Sequence, residues 1–125
     1  MTTPTDSLKI AAWRTLQRIM GEPIVYHLNT TQSIAIELAV LTQPKANRID
    51  TEGIGLAVRQ WHWLIDPDDL SFQNERVIPT EGHWIMRGPA SNAERYKLTP
   101  GEGKNLVWRW SDSSHVWRRI FVEEV

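Results

Sequence analysis

Gly53 to Asp66 reads GIGLAVRQWHWLID, and its reading decides the fold. Ile54, Leu56 and Val58 fall on one parity; Trp61, Trp63 and Ile65 fall on the other. A two-residue period marks a strand with one face in a core. The apolar parity changes at Arg59-Gln60, as a β-bulge would make it, and bulges sit where barrels bend. A strand buried on both faces is the alternative. The bulge is preferred because Gln60 and His62 would otherwise need partners inside.

Toward the N-terminus, Thr42 to Glu52 (TQPKANRIDTE) carries Pro44 and a mixture of charges, and it reads as a loop. Before it, Ser33 to Leu41 alternates, with Ile34, Ile36, Leu38 and Val40 expected on one face. Asn29-Thr30-Thr31-Gln32 is a turn, and Ile24 to Leu28 a short strand. A helix over about residues 6–20 comes first, capped by Asp6 or Ser7 and stopped by Gly21 and Pro23. Ala12, Trp13, Leu16, Ile19 and Met20 recur on it at helical spacing. That stripe is expected to cover the chain's own barrel, with docking on a neighbour as the alternative.

Toward the C-terminus, Asp66-Pro67-Asp68-Asp69 ends the strand as a turn. His83–Arg87 and Glu94–Leu98 are short strands. Asn105–Trp110 and His115–Glu123 form a closing hairpin around Ser111–Ser114. Leu106, Trp108 and Trp110 are expected on one face of the first strand. Val116, Ile120 and Val122 are expected on one face of the second, with Trp117 and Phe121 opposite. One helix and six or seven short strands predict a mainly β fold: a small antiparallel β-barrel with an N-terminal α-helix, one domain over 1–125 with the barrel over about 22–123. The expected core contains Ile34, Ile36, Leu38, Leu56, Val58, Trp63, Ile120 and Val122.

The chain has 14 basic and 15 acidic residues and a formal net charge of −1. A duplex-binding domain is expected to carry a basic excess, because phosphate neutralisation drives that affinity. With no cysteine, disulfides and thiolate metal sites are excluded, and a reducing compartment fits. The polar start MTTPTDSLK predicts no secretion signal. No apolar run approaches the ~20 residues of a membrane span. His27, His62, His83 and His115 are scattered without metal-ligand spacing. Asp66, Asp68 and Asp69 lack the further oxygen ligands of a Ca²⁺ loop. The lone Gly53-Ile54-Gly55 is not a phosphate loop, and no serine sits in a nucleophile elbow. No catalytic, metal or cofactor site is expected.

Seven tryptophans against two tyrosines and two phenylalanines suggest material for an interface. Trp108-Arg109-Trp110 and Trp117-Arg118-Arg119 interleave aromatics and cations. Such a hairpin can be barrel wall, protein interface or a stacking platform for single-stranded bases. The last possibility leaves a small nucleic-acid-binding barrel as the competing function. A small-molecule-binding barrel or enzyme is the weakest.

Three motifs in order carry a resemblance: Gly21-Glu22-Pro23-Ile24-Val25-Tyr26 after the helix, Trp63-Leu64-Ile65-Asp66-Pro67-Asp68-Asp69-Leu70, and Trp108-Arg109-Trp110-Ser111-Asp112. Over roughly residues 8–123 the chain resembles tailed-phage and prophage head–tail joining proteins of the head-completion or stopper type. The resemblance implies a barrel subunit, made in the bacterial host cytoplasm, that acts at the virion head–tail interface. It implies a homo-oligomeric ring below the portal, with the free subunit able to be a monomer. The implied partners are the portal or adaptor and tail proteins, with no membrane. Duplex DNA passes the ring without sequence-specific binding, and the ring helps retain packaged DNA. The candidate interface residues are Trp13 and Arg14 on the helix, Pro44, Lys45, Arg48 and Asp50 on the loop, and Trp108, Arg109, Trp110, Trp117 and Arg119 on the hairpin. The 42–52 loop is the candidate for closing the channel.

Overall fold

The computed structural model describes residues 4–42, 60–101, 106–111 and 115–125. Helix α1 (Pro4–Met20) precedes β1 (Glu22–His27), β2 (Ser33–Thr42) and β3 (Gln60–Ile65). A two-residue-strand hairpin follows, β4 (Ser71–Phe72) and β5 (Glu75–Arg76), then β6 (Trp84–Arg87), β7 (Glu94–Leu98), β8 (Trp108–Trp110) and β9 (Arg118–Glu124). The main sheet runs β3-β2-β1-β6-β7-β9-β8, all antiparallel, and β3 also pairs with β9. That pairing closes a six-stranded antiparallel barrel behind one N-terminal helix. The fold class read from the sequence is the one observed. The helix starts at Pro4, two residues earlier than expected, with proline near its first turn, where a missing N–H costs nothing.

Rows of cross-strand partners build the core. Ile34 lies opposite Tyr26, Tyr26 opposite Ile85, and Ile85 opposite Tyr96, and all four side chains are buried. Trp63 meets Tyr96 edge-on, ring centroids 5.7 Å apart. Such aromatic pairs add about 0.5–1.5 kcal/mol beyond their burial. With Ile36, Ile65, Ile120 and Val122 also inside, the barrel interior is filled by side chains and is not a pore.

A bulge that was not expected lies on β2. Ile24 pairs with Ile36, yet Glu22 pairs with Ala39, so β2 carries one extra residue between them. The inward parity therefore shifts from Ile34 and Ile36 to Ala39. Two expectations are corrected by it. Leu38 is 38 % exposed and not core. Val40 is buried on the outer face, packed with Trp13 and Leu64 beneath α1. The same packing means that the described end of β3 is covered on both faces, Trp63 and Ile65 inward and Leu64 under the helix. The expected parity change at Arg59-Gln60, and Leu56 and Val58, lie outside the described residues.

Other boundaries moved for physical reasons. Ile19 and Met20 were expected in the helix's packing stripe, but α1 buries Trp13 and Gln17 and leaves Ile19 76 % exposed. Leu106 is exposed and Val107 buried, so the face expected for the eighth strand is reversed at its start. Val116 packs with the helix cluster instead of sharing the inner face of Ile120. The β4–β5 hairpin was not expected. Gln73 and Asn74 turn it with φ of 53° and 66°, the left-handed pair that a two-residue hairpin turn needs. It brings Leu70, Phe72 and Val77 onto the barrel core.

Candidate interaction surface

Helix α1 is latched to the barrel by one carboxylate. Asp66 accepts from the indole Nε1 of Trp13 at 3.4 Å and from the backbone N–H of Asp68 at 2.9 Å. Arg14 approaches the same carboxylate at 3.3 Å. Arg14 is largely exposed, so its pair contributes about 0–1 kcal/mol. Leaving a buried indole and a turn N–H unmet costs about 1–3 kcal/mol each. The neutral donors therefore decide the latch. The Asp-Pro-Asp-Asp run is a structural turn, and among the described residues no group of three or more His, Asp or Glu side chains is placed to hold a metal ion.

Trp13 is 1 % exposed and stacks on Trp117 at 5.0 Å between ring centroids. Trp13 is thus occupied within the subunit, while Trp117 stays half-buried. Trp108 packs on the core, and Trp110 stacks on His115 at 4.7 Å. Arg118, which no expectation singled out, points inward and is buried. Its Nη1 donates to the Val77 carbonyl at 2.5 Å, and its guanidinium lies over Trp108 at 4.6 Å and Trp110 at 5.3 Å. Burial holds its pKa below the usual arginine value, aided by Arg76. Much of the aromatic surface of the hairpin is thus already engaged.

What remains outward on this wall is basic. Arg109 and Arg119 are direct register partners on β8 and β9. Arg119 meets Nδ1 of His62 at 3.0 Å through Nη1 and donates to the Ser111 hydroxyl at 3.5 Å through Nη2. Its Nε is buried without a hydrogen-bond partner. Among the described residues, neither arginine has a carboxylate in ion-pair range. Like charges directly opposite each other destabilise a sheet by roughly 0.2–1 kcal/mol. Burial, then Arg109, lowers the Arg119 pKa; burial, then Arg119 and Arg109, lowers that of His62 to about 4. A neutral His62 accepts from Arg119.

An acidic groove lies along α1 and β2. Arg14, Gln17, Glu37, Leu38 and Asp69 are among the residues lining it, around about 330 Å³. The Asp69 pKa is raised, first by burial and then by Asp66, against Arg14 in the same groove, with Asp68 and Glu37 adding. A third patch sits on β1, β6 and β7: His27 stacks on Trp84 at 5.0 Å, and Arg95 lies over the same indole at 4.9 Å. Pro44, Lys45, Arg48 and Asp50 lie outside the described residues. The structure thus brings Arg109 and Arg119 onto one outward wall, leaves Trp110 against the inward Arg118, and places Arg14 at the acidic groove.

His62 and Asp69 were missed as surface groups. Alternation along β3 and β9 could have placed His62 and Arg119 outward. Only the closing β3–β9 register could place them side by side. No helix is long and apolar enough to cross a membrane. The chain matches the family model described as phage head-tail joining protein over residues 6–125. No curated protein and no solved structure matches it.

Proposed function

The chain belongs to the phage head-tail joining protein family, and from that premise we propose that it is a ring-forming structural subunit of the connector between head and tail. Its partners are the portal or adaptor on one side and tail proteins on the other. It works by assembly and not by catalysis, and its place is the virion head–tail interface. The family match over nearly the whole chain carries this reading. The filled barrel supports a specific form of it: with Trp63, Tyr26 and Tyr96 occupying the interior, duplex DNA passes between subunits, through the centre of the ring, and not through a barrel. A net charge of −1 suits a passage that does not trap phosphate. The nucleic-acid reading loses support, because Trp108, Trp110 and Trp117 spend ring faces on Arg118, His115 and Trp13.

The 42–52 segment, whose first residue Thr42 is the last of β2, is proposed to act only in the assembled connector, with Pro44, Lys45, Arg48 and Asp50 at a neighbour or at the channel, where it helps retain packaged DNA. A complementation assay in the phage or prophage that carries the gene tests both ideas. Removing the gene should leave filled heads that do not join tails and lose their DNA; normal infectious yield without it refutes the role. Supplying the chain with 43–52 shortened should keep its melting temperature nearly unchanged, since closure entropy varies slowly with loop length. Particle yield should still fall, and full yield from that variant removes the loop from the mechanism.

A further inference from the structure

Among the described residues, two surface patches of opposite sign lack an ion pair of their own, although Arg14 lines the acidic one. The basic one is Arg109, Arg119 and the His62 that holds Arg119 in place. Arg119 is half-buried and held by His62 and Ser111, and among the described residues its buried Nε has no partner. A pre-oriented guanidinium beside a second one is suited to a carboxylate, which accepts two parallel N–H bonds. The acidic patch is Glu37 and Asp69 in the groove beside α1, with Leu38 exposed between them and the helix. Among the described residues neither carboxylate has an ion pair of its own.

The patches cannot satisfy each other within one subunit. Glu37 is on β2 and Arg109 on β8, with β3 and β9 between them in the closed wall. At ~4.8 Å per strand the separation across the wall is roughly 14 Å. A contact repeating head to tail needs two different, complementary patches on every copy. We propose that the Glu37–Asp69 groove of one copy docks on the Arg109–Arg119 wall of the next, forming the heterologous contact of the ring; this rests on the connector reading above. Leu38 is the apolar anchor at its centre. The charged groups set the direction of the contact, groove to wall.

The absence of cysteine makes crosslinking clean. Glu37→Cys and Arg109→Cys, made separately, leave Asp69 and Arg119 in place. Mixed at high concentration and oxidised, they should give a 37–109 disulfide dimer, and the doubly substituted chain should give a ladder of higher species. Same-site dimers in place of the mixed product overturn the proposal. In the complementation assay Arg109→Glu should lower particle yield while the protein still melts cooperatively, and adding Glu37→Arg to the same chain should restore it. Failure of that rescue together with no mixed disulfide overturns the contact but leaves the connector role intact, since that role is judged by removal of the gene. Sub-micromolar duplex binding lost in Arg109→Ala assigns the basic wall to phosphate and likewise overturns the contact.

Discussion

Between Arg119 and Phe121, His62 is held neutral far below the pH at which a free imidazole protonates. Its ring is half-buried, meets Phe121 edge-on at 4.9 Å, and has its pKa pulled down to about 4 by burial, Arg119 and Arg109. The sign of the consequence follows from linkage. The unfolded chain binds a proton at His62 near pH 6.5; the folded chain binds it only near pH 4. Stability from this group is therefore complete above about pH 6.5 and falls as pH drops toward 4. The full difference is worth about 3 kcal/mol, which partial exposure of the ring reduces to roughly 1–2 kcal/mol. His27 and His83, whose pKa values burial also lowers, add to the fall in the same direction. His62→Asn should lose less stability than the wild type between pH 6.5 and 4 in urea denaturation. Parallel curves for the two proteins would show that His62 does not carry the effect.

At the scale of the element, the helix and the β2 bulge hold each other. Gln17 is buried and donates through Nε2 to the Leu38 carbonyl at 3.3 Å, at the site where the extra residue disturbs the ladder. Gly21 ends the helix against the same point, its N–H donating to the Gln17 carbonyl at 2.8 Å. A Cβ on Gly21 would meet that carbonyl oxygen at 2.2 Å and the Leu38 Cβ at 3.0 Å. Backbone on one side and a strand on the other leave little room to yield. Gly21→Ala should therefore destabilise the chain by about 1–3 kcal/mol, the usual range for overpacking, despite alanine's better helix propensity. Thermal unfolding checks it; an unchanged or raised melting temperature would mean that α1 is not seated against the bulge as described. The helix stop at Gly21 was legible from composition. Its second use, as the space that lets α1 approach β2, was not.

For the whole molecule, the balance of charge hides a division of charge. The chain is near neutral, yet Arg109 and Arg119 are gathered on one wall and Glu37 and Asp69 in one groove. A few basic groups release few counterions, so duplex binding at physiological salt should be no tighter than ordinary non-specific affinity, Kd on the order of 10⁻⁴ to 10⁻⁶ M. Gel-shift or fluorescence titration measures it, and a tighter constant would move the assignment toward nucleic-acid recognition.

The amino-acid sequence by itself determined the local grammar of this protein. The helix ahead of the strands, the turn at Asp66-Pro67, the strand at Glu94–Leu98 and the closing Trp-rich hairpin all follow from period, turn chemistry and capping, which act over a few residues. The order of the three motifs was enough to indicate the family. Only the tertiary structure decided which side of β2 faces inward beyond Ile36, because a single extra residue between two pairing strands reverses parity and depends on the partner strand's register. It likewise decided that Trp13 and Trp117 stack on each other and that Arg118 turns inward onto two tryptophans. It also placed His62, Arg109 and Arg119 on one wall. The meeting of His62 with Arg119 comes from β3 closing on β9, a contact between segments more than fifty residues apart, to which no local periodicity responds.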